Sequence, residues 1–141
     1  MRGVVLVDTG PLVALFDPSD RARAACRATL ATLERADLVT TEAVVTEASF
    51  LLDFSVDAQV ALQTLLAAGR PRVVAMGPDD RARIATLTRK YRDLPMDYAD
   101  STLVALAERL GTTTVFTLDR RDFAVYRAGR KSFDMWPRLP R

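Results

Sequence analysis

Four acidic residues stand where carboxylates are unusual. Asp8 closes the apolar run Gly3-Val4-Val5-Leu6-Val7, and Asp119 follows the β-rich stretch Thr113–Thr117 after a single leucine. Glu47 interrupts Ala43-Val44-Val45-Thr46-Glu47-Ala48-Ser49-Phe50-Leu51-Leu52, and Asp100 opens into Ser101-Thr102-Leu103-Val104-Ala105-Leu106-Ala107. A lone charge in an apolar helix is costly unless it faces a partner, a metal or water. Asp97 lies three residues before Asp100, so both share one face of a helix's first turn. Each acid also has an ordinary structural reading. Asp8 can cap a helix opened by Pro11, Asp97 and Asp100 can favour a helix dipole, Glu47 can be half of an ion pair, and Asp119 can serve a turn. Together they form a carboxylate set in a chain with no His and one Cys.

Those two absences narrow the chemistry. A Ser-His-Asp triad, a Cys-His pair, a His-bearing zinc site, a Cys cluster and an internal disulfide are all excluded. Cys26 reads as a small buried apolar residue. Clustered carboxylates repel one another and raise each other's pKa. A divalent cation relieves that repulsion, and oxygen-only ligands suit Mg²⁺ or Mn²⁺ rather than zinc. A cation so held keeps several waters, lowers the pKa of one, and shields the charge of a phosphodiester. That is the chemistry of a hydrolytic nuclease that needs no histidine.

The elements that must position these acids follow from apolar pattern. Residues 3–7 form a short β-branched run without alternation, as in a parallel strand buried on both faces. A helix is expected after Pro11, a second over 21–35, and a strand at Leu38-Val39-Thr40. Helices over 42–53 and 57–68 come next, then a strand at 73–76 and a helix from Pro78 to about Arg92. Asp97 to Leu110 is a helix ended by Gly111, Thr113 to Thr117 a strand, 119–123 a turn, and Lys131 to Met135 a short last strand. Strands alternating with helices imply an α/β fold with a mostly parallel sheet of four to five strands. Ligands of such a sheet sit beyond the carboxyl ends of its strands, where Asp8 and Asp119 fall.

The 141 residues fit one domain, and 49 % hydrophobic with 27 % charged residues is a globular balance. The net charge of +2 points to no partner, but residues 120–141 hold seven basic residues and two acids. Within that basic end, Arg120, Arg121 and Arg130 are candidates for contacts to nucleic-acid phosphates, against the plainer reading of a solvated tail. Val60, Leu62, Leu65 and Leu66 give apolar helix surface for a dimer, a protein partner or the core. The apolar opening is too short for a signal peptide or a membrane span, so the chain reads as cytoplasmic. An aspartyl phosphotransferase fits poorly, because Asp8-Thr9-Gly10 lacks the second carboxylate of Asp-x-Asp. A receiver-like domain wants a Lys after a late strand, and only Lys90 and Lys131 exist. The six glycines form no phosphate-binding loop.

Over almost its whole length the chain resembles the PIN-domain family, and within it the VapC-type ribonuclease toxins. The resemblance is carried by Val5-Leu6-Val7-Asp8-Thr9-Gly10, Val44 to Leu52 around Glu47, Ala99-Asp100 to Gly111, and Thr117-Leu118-Asp119-Arg120-Arg121-Asp122-Phe123. It implies a single PIN-like, three-layer domain over 1–141, with Asp8, Glu47, Asp100 and Asp119 as catalytic metal ligands. Thr9 matches the hydroxyl residue beside the first acid, and Thr9, Asp97 and Thr117 are outer contacts. It further implies a Mg²⁺- or Mn²⁺-dependent endoribonuclease leaving a 3′-hydroxyl and a 5′-phosphate, a cognate antitoxin and a homodimer. A PIN-like module that binds RNA or protein without cutting is the alternative. Two departures stand out: Gly10 occupies a position often Ser, and Asp97 has no firm counterpart. Asp122 is expected to cap the turn before Phe123.

Overall fold

The computed structural model describes residues 3–138. Strand β1 (Val4–Val7) is buried from Val5 onward, as its unbroken apolar run requires. It lies at the centre of a five-stranded parallel sheet with β2 (Asp37–Thr40), β3 (Arg72–Val73), β4 (Thr114–Phe116) and β7 (Asp134–Trp136). The spatial order is β3-β2-β1-β4-β7. The chain thus builds outward from β1 to β3, then returns across the centre to β4. Reversal of direction with right-handed crossovers puts the two sets of connecting helices on opposite faces, giving three layers. It also makes the β1/β4 boundary a topological switch point, where a crevice opens at the strands' carboxyl ends.

Helices α1 (Thr9–Phe16) and α2 (Arg23–Thr32) connect β1 to β2, and α3 (Glu42–Leu51) and α4 (Val56–Ala67) connect β2 to β3. Helices α5 (Pro78–Lys90) and α6 (Tyr98–Leu110) lead back to β4. The core is aliphatic around the sheet (Val5, Leu6, Leu38, Val39, Val115, Phe116) and joins the inner faces of α1, α3 and α6 through Leu12, Val44, Leu103 and Leu106. Cys26 is fully buried within it, as expected of an apolar thiol. Among the described residues, no helix is long and apolar enough to cross a membrane.

Four expectations change. Residues 119–123 are not a plain turn: α7 runs Arg120–Val125, because Phe123 is fully buried and Asp119 caps the start. The expected last strand at 131–135 divides in two. Lys131–Ser132 (β6) pairs antiparallel with β5 (Arg127–Ala128) across a turn at Gly129, whose φ of 61° suits glycine. After buried Phe133, β7 enters the main sheet instead. Strand β3 shrinks to two residues, since the chain turns toward Gly77 and Pro78 one hydrogen bond after its ladder with β2. Helix α1 starts at Thr9, earlier than Pro11, because Asp8 caps it.

Candidate active site

Each acid is delivered by the local rule that shapes its element. Asp8 is the first residue after β1, with its Oδ1 accepting the Thr9 N–H at 2.8 Å as the N-cap of α1. Its Oδ2 accepts from the Thr117 hydroxyl at 2.7 Å, and the Thr117 Oγ1 in turn accepts the Asp119 N–H at 3.0 Å. Thr117 is fully buried just beyond β4, so one hydroxyl ties together the two acids that flank the switch point. Asp119 in turn caps α7 by accepting the Asp122 N–H at 3.1 Å. The capping expected of Asp122 thus falls to Asp119, with Asp122 in the first helical turn.

Glu47 and Asp100 come from helices joined to each other. Thr41 caps α3, and its hydroxyl shares a buried 2.8 Å hydrogen bond with that of Thr102 in α6. Asp97 caps α6 by accepting the Asp100 N–H at 2.8 Å. Glu47 is half-buried, and its Oε2 accepts a long contact from the Thr9 hydroxyl at 3.4 Å. Asp100 is buried, and its Oδ2 accepts from the hydroxyl of fully buried Tyr126 at 2.9 Å. Tyr126 is itself clamped edge-to-face between Tyr91 and Phe123, so its hydroxyl has little freedom.

Asp8, Glu47, Asp100 and Asp119 line one open cleft of about 560 Å³, together with Asp20, Asp97, Thr9, Gly10 and Leu118. No cation is among its lining residues. Burial is the main force on its acids. It lifts Asp8 to a pKa of about 6, against the hydrogen bonds from Thr117 and Thr9 and with the help of Asp97 and Glu47. It lifts Asp100 to about 8, with the charges of Asp8 and Asp97 adding and the Tyr126 hydroxyl opposing. Glu47 and Asp122 are also raised, chiefly by burial. Carboxylate oxygens of Asp100, Asp119 and Asp122 lie within 4.8 Å of one another. Two buried acids among several partly buried ones, in a cleft lined by no cationic side chain and offering only oxygen ligands, fit a hard divalent cation. Asp8, Glu47, Asp100 and Asp119 could hold it, with Asp122 at its edge.

Comparison with known proteins gives the chain a family. The PIN-domain family model matches residues 5–129. The chain belongs to the PIN-domain family. It is 34 % identical over 125 residues to Ribonuclease VapC26 of Mycobacterium tuberculosis, covering 87 % of this chain and 92 % of that one. Among solved structures it resembles M. tuberculosis VapC20, described as a Sarcin-Ricin loop cleaving toxin, with TM-score 0.75, 17 % identity and coverage of 88 % and 97 %. VapBC2 of Rickettsia felis, solved with a DNA fragment from its promoter, matches with TM-score 0.72, 14 % identity and coverage of 94 % and 98 %.

Within this PIN domain the four expected acids meet, and Thr9, Asp97 and Thr117 stand beside them. The expected arginines do not stay together. Arg120 donates to the Pro137 carbonyl at 2.8 Å and so holds the segment just after β7. Arg130 lies in the β5–β6 hairpin, whose Gly129 N–H donates to Glu108 near the far end of α6, about 12 Å along the helix from Asp100. Arg121 is exposed on α7 and faces Asp122, whose carboxyl it lowers against the other influences. Gly10 sits close against Leu118: a Cβ there would meet the Leu118 Cβ at 3.1 Å, so a serine would need that side chain to give by a few tenths of an ångström. Sequence reasoning missed Asp20, Asp122 as a site neighbour, and Tyr126. Nothing local marks Asp20 or the Tyr126 hydroxyl as belonging to the site.

Proposed function

We propose that this PIN-domain protein is a Mg²⁺- or Mn²⁺-dependent endoribonuclease, acting in the cytoplasm as the toxin of a type II toxin–antitoxin pair. The observation that carries the reading is the convergence of Asp8, Glu47, Asp100 and Asp119 on one cleft at the switch point, with no cationic side chain among the described residues that line it. The ribonuclease name of the 34 % identical relative supports the same class of reaction. A divalent ion bound there supplies a water of lowered pKa and shields the phosphodiester's charge. The protein's share is placement. Thr9 N–H and the Thr117 hydroxyl fix both oxygens of Asp8, and Tyr126 fixes one oxygen of Asp100 and leaves the other for the cleft. Glu47 is less tightly held and more exposed, which suits a ligand that adjusts as substrate enters. Arg121 is the expected arginine best placed to meet a flanking phosphate.

The single domain works with protein partners. The Klebsiella pneumoniae neighbour is a toxin–antitoxin complex, with TM-score 0.67 and 18 % identity. On α4, Leu62 is core but Val56 and Val60 are exposed, leaving apolar surface for an antitoxin or for the partner in a homodimer.

The test is cleavage of a mixed RNA pool with Mg²⁺, with Mn²⁺ and with EDTA, beside the Asp100→Asn variant. Metal-dependent cutting that leaves 3′-hydroxyl and 5′-phosphate ends, lost in the variant, is expected. Binding without cutting in every condition would overturn the nuclease in favour of a non-catalytic RNA-binding module.

A further inference from the structure

A second hollow, of about 630 Å³, adjoins the acidic cleft and shares Glu47 and Asp97 with it as a common wall. Its other side is aromatic and apolar. Phe50 lies one turn beyond Glu47 on α3 and is 71 % exposed, and Tyr98 opens α6 two residues before Asp100 and is 52 % exposed. Rings this open make no use of the core, yet both stand at the ends of the helices that carry the acids. The Tyr98 hydroxyl accepts from Arg81 Nη1 at 3.2 Å, which orients the ring and sets a guanidinium at the rim. Arg81 is exposed and forms no ion pair among the described residues.

We propose that this hollow is a nucleobase subsite. An unpaired base next to the cleaved phosphodiester stacks on Phe50 and Tyr98, and Arg81 meets a phosphate further along the strand. The inference rests on the ribonuclease reading and adds to it a requirement for single-stranded or splayed-out RNA. The chemistry on each side of the hollow matches such an occupant. A base has an uncharged π-face for the rings and N–H donors for the carboxylates of Glu47 and Asp97. An apolar protein segment would instead bury those two carboxylates without donors, at a desolvation cost. Aromatic platforms edged by cations are a general way to hold single strands, and they tolerate many sequences because every base has a π-face. The duplex form cannot offer a base to this hollow without unstacking it.

The experiment uses the full chain and a single-stranded RNA that the wild type cuts, carrying 2-aminopurine beside the cut site. Quenching is followed with Ca²⁺ in place of Mg²⁺, and KM and kcat are measured with Mg²⁺. Wild type should quench the probe, and the same RNA in a duplex should not. Phe50→Ala and Tyr98→Ala should lose the quenching and weaken binding by about tenfold or more, mainly in KM. Tyr98→Phe should keep most of it, and Arg81→Ala should weaken binding while lowering its salt dependence. Both rings are exposed, so the alanine variants should melt like the wild type. Unchanged quenching and KM in both alanine variants would overturn the subsite alone. So would light scattering that shows these variants turning a dimer into a monomer with RNA binding intact, since a second copy would then cover the hollow. Failure of the wild type to bind or cut RNA with any metal overturns the ribonuclease reading together with the subsite.

Discussion

Protons and a metal ion should compete for the same buried acids. Burial holds Asp8 at a pKa of about 6 and Asp100 at about 8, both above the ordinary carboxylate value. A folded-state pKa above the unfolded one means that the folded protein binds the extra proton. The stability these two sites contribute is therefore fully present below about pH 4 and is lost as pH rises through 6 and then 8. A cation must displace those protons, so its apparent affinity rises across the same window. Between pH 6 and pH 8 the ionised share of Asp100 climbs from about one-hundredth to about half, and that of Asp8 from about half to nearly all. The product grows about a hundredfold, which is about 2.7 kcal/mol of binding free energy. The assay is calorimetric titration of Mn²⁺ at pH 6, 7 and 8, with melting curves in EDTA and in saturating metal. Without metal, Tm should fall from pH 5 to pH 8, and metal should restore it most at the upper end. Affinity that changes less than about threefold over this range, with Asp100→Asn following the same curve, would refute the reasoning.

Three more outcomes are expected. Thr117→Val keeps the shape but removes the hydroxyl that serves both Asp8 and Asp119, so urea unfolding should show a loss of about 2–4 kcal/mol, and RNA cleavage should fall steeply. Tyr126→Phe retains the ring packing and loses only the hydrogen bond to Asp100. It should destabilise by about 1.5–3 kcal/mol and shift the pH–rate profile upward, because the bond that lowers the Asp100 pKa is gone. Arg130→Ala should leave the salt dependence of RNA binding unchanged, while Arg121→Ala lowers the slope by about one, as read by binding titrations at several salt concentrations.

What could be read from the chain was whatever local pattern determines. A parallel strand buried on both faces leaves an unbroken apolar run, so β1 and β4 announce themselves and so do the acids at their ends. Glu47 and Asp100 stand out because an apolar helix does not accept a charge without reason. The helix α7 did not show, since six residues hold too little periodicity, and the burial of Phe123 decides it from outside. Likewise, only the ladder with β4 tells that Asp134–Trp136 leaves its neighbours Lys131–Ser132 for another sheet. Charge counting found the basic end but not its destinations, which are a carbonyl for Arg120 and a distant hairpin for Arg130. Tyr126 reaches Asp100 across 26 positions, and its contact exists only once α6 and α7 are packed together.

Strand β7 guards both the edge of the sheet and the approach to Thr117. Beyond its pairing with β4, it takes the Thr117 N–H on the Trp136 carbonyl at 2.9 Å, next to the hydroxyl that holds Asp8. The opening of β1 lies at the other end of the sheet, roughly a 13 Å strand away from the acids. A fusion partner that leaves through Gly3 therefore departs from the end of the sheet opposite the cleft. Proteolytic removal of the segment from Asp134 onward would do more than shorten the chain. It would strip the cover from β4 and leave Thr114–Phe116, with two buried apolar residues, as a bare edge open to pairing with other chains. Clipped preparations should therefore lose activity and clump together, two symptoms with one origin.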